Sequence, residues 1–130
     1  MIEKRALQFS VGLAALVPVS AGIVGVVTPR LLALAGPPPA LTHVSYLSGL
    51  LLGIGLGFAS LIPNIERQGR AFGLLTGIVA LGGLARLALA AREGAWTLSV
   101  VLPLAMELGV TPLLWAWQRR VARAFNSRPE

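Results

Sequence analysis

Four long runs of apolar residues, separated by short polar stretches, dominate the pattern along the chain. Each run reaches about 20 residues, the length that a helix needs to cross the hydrocarbon core of a bilayer. We therefore predict an all-α fold, a polytopic membrane protein whose four transmembrane helices form one bundle and one domain. The predicted helices cover residues 6–28, 43–62, 71–91 and 98–117, and a basic tail follows over 118–130.

Small residues recur at every fourth position of the second run, and on a helix this spacing places them in one stripe. A stripe of small residues lets the backbone of another helix approach closely, so that van der Waals contact holds the pair together. We expect a bundle seam here in preference to a dimer face, with the first run's Ser20, Gly22 and Gly25 as candidates to face it. The predicted packing residues are Ser45, Gly49, Gly53 and Gly57, together with Gly82 and Gly83 of the third run.

Composition points away from a soluble protein. Hydrophobic residues make up 55% of the chain and charged residues only 12%, whereas a soluble domain carries about a quarter charged residues. The net charge of +6 would suggest nucleic-acid binding in a soluble protein. Here the basic residues lie just outside the apolar runs, so topology and anionic membrane lipids explain them better than nucleic acid does.

Basic residues near the ends of the runs predict the orientation, because they favour the cytoplasmic side. With the N-terminus inside, only Arg30 and Arg92 lie outside, and Trp96 marks the outer interface. We therefore expect both termini in the cytoplasm and a multi-pass protein of the bacterial inner membrane. The basic leader also resembles a signal peptide, although the first apolar run continues to Val27. The basic residues placed inside are Lys4, Arg5, Arg67, Arg70, Arg119, Arg120, Arg123 and Arg128.

Two charges of opposite sign interrupt the apolar runs, Arg86 in the third and Glu107 in the fourth. A charge at membrane depth costs roughly 2.5–3.5 kcal/mol on insertion scales, so such residues usually face the bundle interior. At 1.5 Å per residue, the two backbones differ in depth by about 7 Å, most of which an arginine side chain can span. We therefore expect a buried ion pair.

The pair has two competing interpretations and a third, weaker one. In the first, it is structural and fixes the register of the two helices. In the second, Arg86 holds an anionic headgroup or a carbonyl with Glu107 as its counter-charge, in a pocket that also involves His43, Tyr46 and Thr111. In the third, Glu107 transfers protons.

Recognisable catalytic motifs do not occur in the sequence. One histidine and no cysteine argue against a metal site, since such sites need three or four protein ligands. A phosphate loop, a nucleophile elbow and a Ser-His-Asp set are all absent from the sequence. We therefore expect no cofactor and no metal, and an enzyme is the least favoured class.

Several short motifs are spread along the chain from the second run to the fourth. They are His43, Tyr46-Leu47-Ser48-Gly49, Ile62-Pro63, Ile65-Glu66, Leu81-Gly82-Gly83-Leu84-Ala85-Arg86-Leu87, Met106-Glu107-Leu108 and Pro112-Leu113-Leu114. Together these motifs resemble an uncharacterised bacterial family of small four-helix inner-membrane proteins, a domain of unknown function. The resemblance extends over nearly the whole chain. It implies a four-helix membrane bundle and supplies no activity.

Three functional hypotheses remain after this reading. The first is a non-enzymatic accessory or assembly subunit that packs its glycine faces against a larger membrane complex or against itself. The second is a membrane protein that binds a lipid or a quinone-like small amphiphile through Arg86 and Glu107. The third is a proton-coupled carrier or membrane enzyme, which ranks last because four short helices offer few polar groups.

Overall fold

In the computed structural model, which describes residues 2–29 and 38–127, all regular structure within those residues is helical. The predicted fold class is therefore right in its all-helical character. The elements in chain order are α1 (Ile2–Val27), α2 (Pro38–Leu61), a short 3-10 turn (Ile62–Asn64), α3 (Gly69–Glu93), α4 (Leu98–Ala105), a π turn (Met106–Val110) and α5 (Thr111–Asn126).

Four helical segments of the described residues are long and apolar enough to cross a membrane. In their most apolar windows, no more than 22% of the residues are buried inside the chain. Soluble proteins rarely expose so much apolar surface, so these segments are typical of a multi-pass membrane protein. The orientation stays a prediction, and two of its arginines, Arg30 and Arg128, lie outside the described residues.

The fourth segment continues beyond the predicted helix over 98–117 into the residues predicted as a basic tail. Helix α5 continues to Asn126, and one of its faces is buried. The Gln118 side chain is fully buried and donates a hydrogen bond to the Ile65 carbonyl at 2.7 Å, while Val121 is only 6% exposed. Packing against the α2–α3 connection therefore extends the helix well beyond Trp117, the last residue of the fourth apolar run.

Two compact units make up the chain, and the first of them is Gln8–Pro63, here called the α1–α2 unit. Its two helices meet where glycine removes the side chain. A methyl group added at Gly22 would come within 2.7 Å of Leu52, and one added at Gly55 would come within 2.7 Å of Val19. Gln8 also donates a hydrogen bond to the Ile62 carbonyl at 2.7 Å, which caps the end of α2.

The second unit, here called the α3–α5 unit, consists of Met1–Leu7 and Asn64–Glu130. In it α3 runs antiparallel to the fourth segment, because contacts that advance along α3 move backwards along that segment. Gly69 lies beside Gln118, Gly73 beside Trp115, and Gly83 beside Glu107 and Leu108. The turn between the two helices begins at Gly94, whose φ of 66° is left-handed and whose N–H bonds the Ala90 carbonyl.

Candidate functional site

Arg86 and Glu107, the two charges within the apolar segments, are in contact. The Arg86 Nε donates to Glu107 Oε2 at 3.1 Å, and its Nη2 donates to Oε1 at 3.1 Å. The contact is thus a bidentate pair, the geometry in which a guanidinium matches a carboxylate best. We call it the span pair, and it forms where the depth argument predicts it.

A π turn presents Glu107 to Arg86, and the sequence reasoning missed this turn. It covers Met106–Val110 and lies between two prolines, Pro103 and Pro112. Pro112 has no N–H to donate. The turn closes when the backbone N–H of Thr111 bonds the Met106 carbonyl. The Thr111 hydroxyl donates to the same oxygen at 2.8 Å.

The hydrogen bond of the Thr111 hydroxyl bears on the expectation that Thr111 binds a ligand. The sequence made Thr111 a candidate ligand group, but its hydroxyl is engaged by the Met106 carbonyl and holds the π turn. π turns have an i→i+5 hydrogen bond and occur often at functional sites. Two prolines nine positions apart around a glycine and a threonine were the available signal for a disturbed helix.

Gly83 lies directly beneath Glu107 and makes the close helix contact possible. A methyl group added at Gly83 would come within 2.9 Å of both Glu107 Cβ and Leu108. Real Cβ atoms do not approach other atoms so closely, so only glycine fits without a shift of the fourth segment. Gly83 is therefore a packing residue, as its small size suggested, and it also positions the Glu107 carboxylate.

The span pair is less buried than the sequence predicted. The Arg86 side chain is 43% exposed and the Glu107 side chain 19%. The physical reason is helical geometry, since Arg86 follows the buried Gly83 by three residues and so lies about 60° to one side of the contact line. Of the five N–H donors of a guanidinium, two bind Glu107. The other three find no acceptor among the described residues.

One exposed face of α3 contains Arg86, and its members are spaced by three or four residues. The face consists of Ile78, Gly82, Arg86 and Leu89, all exposed, and we call it the Gly82 face. A Cβ at Gly82 would meet no heavy atom of the described chain within 4 Å. Gly82 and Gly83 are therefore adjacent glycines with opposite environments.

The centre of the predicted glycine stripe of α2 does not form the contact with α1. A Cβ at Gly49 or Gly53 would meet no described heavy atom within 4 Å. The α1–α2 contact uses another face, with Ser48 buried and Gly55 against Val19. Ser45 and Gly57 at the ends of the stripe are half-buried. The stripe is thus open at its centre, and a role as a docking face for another chain stays a prediction.

His43 and Tyr46 belong to the α1–α2 unit, whereas Arg86 and Glu107 belong to the α3–α5 unit. Both His43 and Tyr46 are exposed near the start of α2. The proposal that they share a pocket with Arg86 stays a prediction. Among the described residues, no three His, Asp or Glu side chains are grouped as metal ligands would be.

A second ion pair, which we call the loop pair, joins the first turn of α1 to the α2–α3 connection. Lys4 Nζ lies 2.9 Å from Glu66 Oε1, and the Glu66 side chain is only 5% exposed. Nearby, Arg120 of α5 contacts Glu3 at 3.3 Å. A cleft of about 550 Å³ opens beside these residues, between the start of α1 and the last turns of α5.

The environment of Glu66 keeps its carboxyl group charged. Burial by itself would raise the pKa of Glu66. The hydrogen bond from Lys4, a hydrogen bond with its own backbone and the charges of Lys4 and Arg67 outweigh that effect and lower the pKa below its ordinary value of 4.5. Sequence reasoning missed this pair, because charged residues in a short connection look solvated when read without the helices that cover them.

Comparison with protein families identifies the family of the chain. Residues 6–118 match a protein family described as "Domain of unknown function (DUF4345)". Neither a curated protein nor a solved structure matches the chain significantly. The family resemblance noted in the sequence therefore has a defined counterpart, and that counterpart carries no assigned activity.

Proposed function

Because the chain belongs to the DUF4345 family, whose function is unknown, we propose a role from geometry alone: a non-enzymatic accessory or assembly subunit of a larger membrane complex. The Gly82 face is the docking surface in this proposal. The membrane is the bacterial inner membrane, with both termini in the cytoplasm. The partner is a transmembrane helix of another subunit that offers an acceptor oxygen to Arg86.

The observation that carries this proposal is the exposure of Arg86 within an apolar helix. Its side chain is 43% exposed, and three of its N–H donors lack an acceptor among the described residues. Hydrocarbon cannot satisfy those donors, so charged side chains in a span almost always face protein or water. A partner helix over this face would supply the missing acceptor.

The rest of the Gly82 face supports the same partner. Gly82 lies one turn from Arg86 and has open space above it, which would let a second backbone approach closely. Ile78 and Leu89 flank the two residues with exposed apolar side chains. The face thus has a glycine that allows close helix approach, apolar side chains on either side, and one arginine that can donate hydrogen bonds.

Purification of the tagged protein from its own membrane in mild detergent tests this function. We expect a stoichiometric membrane protein to remain bound to the wild type. Gly82→Leu, which fills the open face, is expected to reduce the amount bound at least tenfold. Ala88→Leu adds a similar side chain to another exposed face of α3 and is the matched control. A protein that purifies alone, or equal retention by all three forms, would contradict the proposal.

A small amphiphilic ligand is the second candidate, because the same free donors suit a carbonyl or a phosphate oxygen. Arg86 lies seven residues before the end of α3, or about 10 Å along the helix, within reach of a headgroup. In this case a defined lipid or quinone would copurify with a lone protein. If the Arg86→Leu, Glu107→Leu double variant still retained that molecule, the ligand hypothesis would fail.

A further inference from the structure

Among the described residues of the α3–α5 unit, the two carboxylates near the loop pair each contact a cation, and the arginines there outnumber them. Glu66 pairs with Lys4 and Glu3 pairs with Arg120. Among the described residues, the remaining arginines at this end have no carboxylate within 4.0 Å, and all are exposed. They are Arg5, Arg67, Arg70, Arg119 and Arg123, which we call the arginine set.

Contacts within the unit bring this set to one end of the helices. Gln118 binds the Ile65 carbonyl and lies beside Gly69. These contacts place Arg119 of α5 at the same level as Arg67 and Arg70 of the connection. Lys4 binds Glu66, so that Arg5 belongs to the same end.

Two members of the set lie over aromatic rings. The Arg67 guanidinium carbon is 5.5 Å from the centroid of the Phe125 ring, and that of Arg119 is 5.0 Å from the centroid of the Trp115 ring. A guanidinium can interact through its face with a ring and still present its N–H groups at the edge. These contacts restrict both guanidinium groups while leaving their donors free.

We propose that the arginine set binds the phosphate of an anionic glycerophospholipid. The forked N–H groups of arginine match phosphate oxygens in a bidentate manner. Trp115 precedes Arg119 by one turn and Trp117 precedes it by two residues, and tryptophan is enriched at the headgroup level of bilayers. Charged groups just beyond that level meet anionic headgroups, which favours a lipid over soluble phosphate or nucleic acid.

The proposal goes beyond the charge asymmetry that orients a membrane protein, because orientation requires only positive charge. It is also independent of the Gly82 face, with which it shares no residue. A variant that keeps every charge and changes only the shape of the cation separates the two explanations. Arg67→Lys combined with Arg119→Lys is that variant, since an ammonium lacks the planar fork.

Native mass spectrometry with equal amounts of phosphatidylglycerol and phosphatidylcholine provides the test. The wild type is expected to retain phosphatidylglycerol at least fivefold in preference. The double lysine variant is expected to lose most of that preference. Arg92→Lys, which changes an exposed arginine at the opposite end of α3, is expected to keep that preference. Equal retention of both lipids by the wild type, or an unchanged preference in the double variant, would overturn the proposal.

A second measurement needs only the wild-type protein, in case the double variant does not fold. Added phosphatidylglycerol is expected to raise the unfolding temperature in detergent, while phosphatidylcholine and inorganic phosphate leave it unchanged. An equal rise in unfolding temperature with phosphatidylcholine would show that binding does not require an anionic headgroup, and would overturn the proposal. An equal rise with inorganic phosphate would overturn the assignment to a lipid.

Discussion

The span pair and the loop pair have similar distances and opposite surroundings. Arg86 contacts Glu107 at 3.1 Å, and Lys4 contacts Glu66 at 2.9 Å. Glu66 is enclosed at 5% side-chain exposure, whereas Arg86 stays 43% exposed. The loop pair thus fastens the start of α1 to the α2–α3 connection. The span pair leaves charged donors at the surface of an apolar helix, where they can engage another molecule.

The largest expected effect concerns Gly83, on which the span pair depends. Gly83→Leu would force α3 and the fourth segment apart, because even a methyl group would lie 2.9 Å from Glu107 Cβ and Leu108. We expect a loss of stability above roughly 3 kcal/mol, beyond the usual range for overpacking. Thermal unfolding in detergent measures it. Gly82→Leu is the adjacent control, and an equal loss there would contradict the assignment of the two glycines to opposite environments.

Removal of one member of the span pair is expected to have the next largest effect. Glu107→Leu leaves Arg86 without a counter-charge in an apolar segment, at a cost of about 2.5–3.5 kcal/mol. The Arg86→Leu, Glu107→Leu double variant removes both charges and is expected to regain most of that stability. Unfolding curves of the wild type, the two single variants Arg86→Leu and Glu107→Leu, and the double variant complete a double-mutant cycle, which gives the coupling. A double variant less stable than Glu107→Leu would contradict this prediction. It would show that Arg86 stabilises the fold even without Glu107.

The loop pair is expected to make the stability depend on pH in the acidic range. The pKa of Glu66 is lowered in the folded protein, so its contribution is present above the unfolded value of about 4.3. That contribution is lost as the pH falls through the lower, folded pKa. Glu66→Gln should cost roughly 1–3 kcal/mol at pH 7, and the difference from wild type should shrink below pH 4.5. Unfolding measured from pH 7 to pH 3 tests this, and a constant difference would contradict it.

The smallest effect concerns the hydroxyl that holds the π turn. Thr111→Val removes the 2.8 Å hydrogen bond to the Met106 carbonyl and should cost about 1 kcal/mol. Thr28→Val is a matched control, because Thr28 makes an equally short bond to the Val24 carbonyl at an exposed helix end. We expect a larger fall in unfolding temperature for Thr111→Val. Equal changes would mean that the π turn does not depend on this hydroxyl.

Sequence reasoning succeeded where one strong physical constraint dominates. Membrane-spanning length predicted the four apolar segments, and the high cost of a charge in hydrocarbon singled out Arg86 and Glu107. Depth along two neighbouring helices was then sufficient to bring the pair together. Each of these arguments needs only the order of residues along a helix.

The remaining features depend on how helices rotate and where they extend, which the pattern does not contain. The spacing of Gly49 and Gly53 shows that one face of α2 carries small residues, but it does not show which helix packs there. The α1–α2 contact uses Gly22 and Gly55. The loop pair was missed because Lys4 and Glu66 lie 62 residues apart in the sequence. The continuation of α5 past Trp117 was missed because it depends on tertiary contacts of Gln118 and Val121.

Site-specific photo-crosslinking from position 89 in the native membrane tests the docking role of the Gly82 face most directly. A photoreactive residue in place of Leu89, an exposed side chain of that face, leaves Gly82 free and is expected to crosslink one membrane protein. The same residue at Ala88, on another face of α3, is expected to give no such product. The Arg86→Leu, Glu107→Leu background should abolish the crosslink at 89 while the protein stays folded. Crosslinks to lipid alone from position 89, or equal protein crosslinks from both positions, would contradict a docking role for the Gly82 face.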